Sequence, residues 1–143
     1  MKYQYNDGGR ASSGFKGHTG DCVVRAIAIV TEQPYQVVYD ELFLLNKSRN
    51  KNPKKSSPRN GSTSIKTIKL YLAGKGWTWV PTMFIGQGCK VHLRENELPT
   101  GRIIARVSKH LVAVIDGVIN DTHNPERFGD RCVYGYFTKW KPI

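Results

Sequence analysis

The sequence predicts a mixed α+β domain, with helices packed on an antiparallel sheet that follows them along the chain. Three observations predict it. Val23, Ala26, Ile27 and Val30 recur at helical spacing in the first half. From Trp77 onward the pattern shifts to short runs rich in β-branched and aromatic residues. Between two such runs stands Asp116-Gly117, the preferred pair for a two-residue type I′ hairpin turn. Helices first and strands second is an α+β order. With 143 residues and no internal repeat, the chain reads as one domain, 1–143, long enough to bury a core of its own.

The elements follow in order. Residues 1–19 are rich in Gly and Ser and read as an irregular arm. Gly20-Asp21 then opens helix one, with Asp21 as its N-cap, and the apolar stripe carries the helix from Cys22 to Val30 or Thr31. Helix two begins near Pro34, a good first-turn residue, and places Val38, Leu42 and Leu45 on one face. Helix three starts after Ser62 or Thr63, uses Ile65, Ile68 and Leu72, and stops at Gly74. Strands are expected over 77–80, 82–85, 102–107, in the hairpin that begins at His110, and over 132–140.

The chemistry concentrates at Cys22. A cysteine in the first turn of a helix meets free backbone N–H groups and the positive end of the helix dipole. That setting favours the thiolate, the form that attacks carbonyls. Downstream, the two-residue turn fixes the hairpin register, so Ile115 faces Val118, Val112 faces Asp121 and His110 faces His123. His110 and Asp121 then share a face within side-chain reach, while Asn120 points the other way. A histidine at a strand start with a carboxylate turned toward it is the base and the orienting group of a triad.

The chain order is Cys22 at a helix start, His110 at a strand start and Asp121 on the next strand. It resembles the papain-like superfamily of cysteine peptidases, and most of all the compact bacterial double-glycine leader peptidases. Over nearly its full length the chain also resembles uncharacterised bacteriophage and prophage proteins, through Asn6 to Arg10 and Gly20 to Ala28. The superfamily resemblance implies a papain-like fold and a thiol hydrolase, a cysteine peptidase or amidase. Cys22 would be nucleophile, His110 general base and Asp121 the residue that holds the imidazole. The reaction would be attack on an amide or isopeptide carbonyl through a thioester, in a protein or peptide substrate that includes host proteins. Papain-like enzymes usually carry a Gln six residues before the nucleophile, where this chain has Lys16. The backbone N–H of Cys22 is one oxyanion donor, and Gln4, Asn6 and Lys16 are the candidates for the other.

Composition adds a rival expectation. The net charge is +11, and much of it lies in 46–61, where Lys47, Arg49, Lys51, Lys54, Lys55 and Arg59 occur without an acid among Asn, Ser, Pro and Gly. The segment reads as a mobile basic loop. Such a loop attracts nucleic-acid phosphates or an acidic host protein. The alternative is therefore a catalytically degenerate papain-like shell used for binding. Three cysteines cannot all pair, so a reduced cytoplasmic setting is expected, the host cytoplasm if the chain is phage-encoded. Cys89 and Cys132 could pair if the protein were exported, which would still leave Cys22 free. Cys89 and His92 have metal-ligand spacing but no second close pair, and no cofactor fingerprint is present. No apolar run is long enough for a membrane span, and no signal-peptide pattern opens the chain.

Overall fold

The computed structural model describes residues 1–16, 20–49, 56–58 and 63–139. Three helices and six strands run in the order β1 (Lys2–Tyr5), α1 (Cys22–Thr31), α2 (Tyr35–Arg49), α3 (Ile65–Ala73), β2 (Trp77–Pro81), β3 (Arg102–Val107), β4 (His110–Ile115), β5 (Val118–Asp121) and β6 (Gly135–Lys139). The strands form one sheet in the order β1-β5-β4-β3-β6-β2. The architecture is α+β.

The sheet is mixed, where an antiparallel one was expected. β1 pairs parallel with β5, aligning Gln4 with Asn120 and Tyr5 with Asp121. The irregular arm thus contains an edge strand. All four of its residues are exposed, so it carries no apolar periodicity from which to read a strand. Residues 82–85 form no strand. Thr82 still bonds Tyr134, but Gln87 N–H turns back to the Phe84 carbonyl, and Gly86 and Gly88 at positive φ bend the chain away. The last strand starts at Gly135, and Cys132 only bridges to His92.

The β4–β5 hairpin has the expected register, Ala113 on Asn120 and Ile115 on Val118. Asp116 and Gly117 both have positive φ, 49° and 79°, as a type I′ turn requires. α3 starts where Ser64 accepts a hydrogen bond from the Thr67 N–H at 3.2 Å.

Two apolar layers hold the sheet. On one face α1 and α2 bring Val24, Ile27, Val38 and Leu42 against Ile104, Leu111, Ala113 and Phe137. On the other, Val112, Val114 and Ile119 pack with Leu93 and Val133 from the connecting segments. Every strand residue named here is 5% exposed or less, so this burial dominates the favourable side of folding.

The basic loop is partly something else. Residues 46–49 are the last turn of α2. Asn46 is buried and donates to the Ser56 carbonyl and the Thr63 hydroxyl. Tyr39 bonds Ser57, so 56–58 pack back on the helix. Asn46 satisfies buried backbone there, a role that composition alone hides. Lys51, Lys54, Lys55 and Arg59 lie outside the described residues, as does residue 140.

Candidate active site

α1 begins at the end of the sheet where β4 begins, and this junction assembles the site. Asp21 precedes the helix but makes no side-chain cap. Its buried carboxylate instead takes Arg10 Nε at 3.1 Å, Arg25 Nε at 3.3 Å and the Tyr35 hydroxyl. The charges of two guanidinium groups and the bond from the Tyr35 hydroxyl hold the carboxylate there, away from the expected N-cap. Asp21 thereby ties the arm, α1 and α2 together beside Cys22. The first-turn N–H groups of α1 therefore receive no side-chain cap from Asp21.

Cys22 lines one hollow with His110 and Leu111, near enough for the imidazole and the Leu111 backbone N–H to act on its thiol. Burial alone would push its thiol up. The hydrogen bond and charge of His110, the Leu111 N–H and the charge of Arg25 outweigh burial and bring the thiol below its ordinary value. His110 sits at the first position of β4 because a two-residue turn joins it to β3, with Lys109 at φ 56°. Arg131 fastens that turn by donating to the Ser108 carbonyl.

On its far side, His110 Nε2 meets Asp121 Oδ2 at 2.6 Å. Nδ1 is then the ring atom left for Cys22. The other Asp121 oxygen accepts the Thr122 N–H at 2.7 Å, which fixes the carboxylate. Burial opposes the charge on His110, but the hydrogen bonds and charges of Asp121 and Cys22 prevail and its pKa is pushed up to about 9. Burial likewise opposes the Asp121 charge, yet His110, the Thr122 N–H and His123 hold that carboxyl below its usual range. A lowered thiol beside a raised imidazole favours a thiolate–imidazolium pair.

The structure therefore brings Cys22, His110 and Asp121 together. Asn120 lies apart from His110 and accepts from Asn6 at 3.2 Å. None of Gln4, Asn6 and Lys16 lines the Cys22 cleft, a hollow of about 350 Å³ bounded by α3, the α1 start and the β3–β4 turn. Gln4 is exposed on β1, Asn6 Oδ1 accepts the Gly8 N–H, and Lys16 lines a different hollow with Asp21 and His123. The start of α1, with Cys22 and Val23, lines the cleft instead. Lys47 and Arg49 lie in the last turn of α2, away from the cleft lining.

Three contributors escape sequence reading. Arg25, one turn beyond Asp21, reaches Thr122 Oγ1 at 2.6 Å and so couples α1 to the end of β5. His123 lies 5.1 Å ring to ring from His110, with Nδ1 3.9 Å from Asp121. The Asp21–Arg25 spacing of four residues is a readable signal for the first. The hairpin register already sets His123 opposite His110. Arg131, from a segment without periodicity, leaves no sequence signal. Ligand atoms of His110, Asp121 and His123 lie within 4.8 Å of one another, but the short His110–Asp121 bond already commits two of them.

Cys89 and Cys132 are bridged, which corrects the expectation of three reduced thiols and removes Cys89 as a metal ligand. His92 pairs with Glu97 at 3.1 Å. Cys22 is the free cysteine. Among the described residues no helix is long and apolar enough to cross a membrane. No protein family, curated protein or solved structure matches this chain.

Proposed function

We propose that the chain is a thiol hydrolase of papain-like type, a cysteine peptidase or amidase acting on an amide or isopeptide carbonyl. One observation carries the reading. His110 is hydrogen-bonded to Asp121 at 2.6 Å and shares a cleft with Cys22, which stands at the start of a helix and whose thiol the imidazole lowers. The thiolate attacks the carbonyl carbon, and α1 N–H groups stabilise the oxyanion. The His110 imidazolium gives its proton to the leaving nitrogen, and the C–N bond breaks to leave a Cys22 thioester. Neutral His110 then takes a proton from water. The resulting hydroxide attacks the thioester, the C–S bond breaks, and acid and thiolate are released. Asp121 keeps the imidazole oriented and stabilises its charge throughout. The test is an acid-quenched reaction with fluorogenic peptide amides, read by intact mass. An acyl adduct on Cys22 that disappears in Cys22→Ala and fails to form in His110→Ala supports the reading. Amide hydrolysis that survives Cys22→Ala overturns it.

A further inference from the structure

The Cys22 cleft has a neighbour. Arg106 lines it and also lines a second hollow of about 500 Å³, bounded by Trp79, Met83, Phe84, Ile85 and Tyr134. The floor of this second hollow depends on a glycine. Gly135 pairs with Arg106 on one side and Pro81 on the other, and the Trp79 ring lies over it. A Cβ on Gly135 would come within 2.3 Å of that ring. The absent side chain is what lets Trp79 lie beside Arg106.

The wall of the hollow is held at both ends. Thr82 donates to the Tyr134 carbonyl through its N–H and to the Val133 carbonyl through its hydroxyl, at 3.0 and 2.7 Å. Seven residues later Cys89 is bridged to Cys132. Between these anchors Met83, Phe84 and Ile85 are 41%, 50% and 105% exposed. Three adjacent large apolar side chains held in water beside a reactive cleft mark a binding surface. The charge around them has one sign. Neither hollow is lined by a carboxylate, Arg106 and Lys109 are present, and Lys69 lies 4.8 Å over the Trp79 ring.

We infer that the two hollows are one substrate groove, and that its occupant is a peptide segment with bulky apolar side chains flanked by Asp or Glu. The inference rests on the thiol-hydrolase reading and names the substrate class of that site. The apolar side chains of the peptide cover Trp79, Phe84 and Ile85, its acids meet Arg106 and Lys109, and its carbonyl is carried toward Cys22.

The probe is a fluorescein-labelled octapeptide containing two phenylalanines and three aspartates. Its binding to the Cys22→Ala chain is read by anisotropy. Affinity should fall at least tenfold in the additional Phe84→Ser, Ile85→Ser variant, whose changes lie at exposed positions that the fold does not need. It should fall equally when the peptide's phenylalanines become serines, and again when its aspartates become lysines. With Cys22 present, saturating peptide should slow iodoacetamide capture of that thiol at least fivefold. Unchanged affinity in any of these arms, binding that leaves Cys22 unprotected, or tighter binding of an oligouridylate overturns the inference. A Cys22 no more reactive than free cysteine refutes the hydrolase reading instead, and the affinity arms still decide the groove.

Discussion

Removing the His110 imidazole should cost Cys22 its reactivity near neutral pH. In His110→Ala the thiol loses its hydrogen bond and the adjacent positive charge, while the burial that raises its pKa remains. The Leu111 N–H and Arg25 oppose that burial only in part. An ordinary thiol with a pKa of about 8.5 is about 1% thiolate at pH 6.5. The parent, with its thiol lowered, therefore has a ceiling near a hundredfold over the variant, equivalent to about 2.7 kcal/mol. Nucleophilicity falls with pKa, with a Brønsted coefficient of about 0.4–0.5, which trims the observable ratio to tenfold or somewhat more. The assay is iodoacetamide labelling at pH 6.5 followed by peptide mass spectrometry. Cys89 and Cys132 are bridged and serve as unlabelled internal controls. Equal labelling rates for parent and variant would refute the ion-pair argument, because no other cation stands in the place of His110.

The remaining predictions draw on the same geometry. Asp121→Asn removes the carboxylate that helps hold His110 at about 9, so the alkaline limb of a hydrolysis pH profile should move to lower pH with kcat reduced. The thermal midpoint of the parent should be flat from about pH 6.5 to 8.5, because the pair binds one proton both folded (on His110) and unfolded (on Cys22). Stability should fall below that window, where only unfolded His110 takes up a proton, and fall again toward pH 9. Cys22→Ala should abolish the fall toward pH 9, since no thiol is left to titrate in the unfolded chain and only Asp121 remains to raise His110. Asp21→Ala strands Arg10 and Arg25 around a buried gap and should destabilise by about 3–5 kcal/mol in denaturant titrations. Gly117→Ala puts a Cβ 2.7 Å from Glu95 at a φ of +79° and should cost about 1–3 kcal/mol, with the register kept.

The hairpin was the most legible part of the fold because its turn residues and its apolar runs agree. Asp116-Gly117 dictates the register, and the register alone puts Asp121 rather than Asn120 on the His110 side. α3 was readable in its apolar stripe and its stop at Gly74, although its cap is Ser64 and not the Ser62 or Thr63 expected. What stayed hidden was held by tertiary contacts. β1 has no buried face to write a pattern, and residues 82–85 carry strand-like composition but are turned outward by Gly86 and Gly88. Asp21 has the residue type of a cap, yet distant Arg10 and Tyr35 redirect it. Gln4, Asn6 and Lys16, sought as the second oxyanion donor, stand outside the Cys22 cleft because tertiary contacts and not residue type decide what lines it.

The nucleophile and its activator are far apart along the chain, Cys22 in α1 and His110 in β4. A ribosome adding about 5–20 residues per second exposes the thiol roughly 4 to 18 seconds before the imidazole is made. During that interval Cys22 is an ordinary thiol, and a truncated translation product never becomes anything else. Reactivity is thus switched on only when α1 docks against β4.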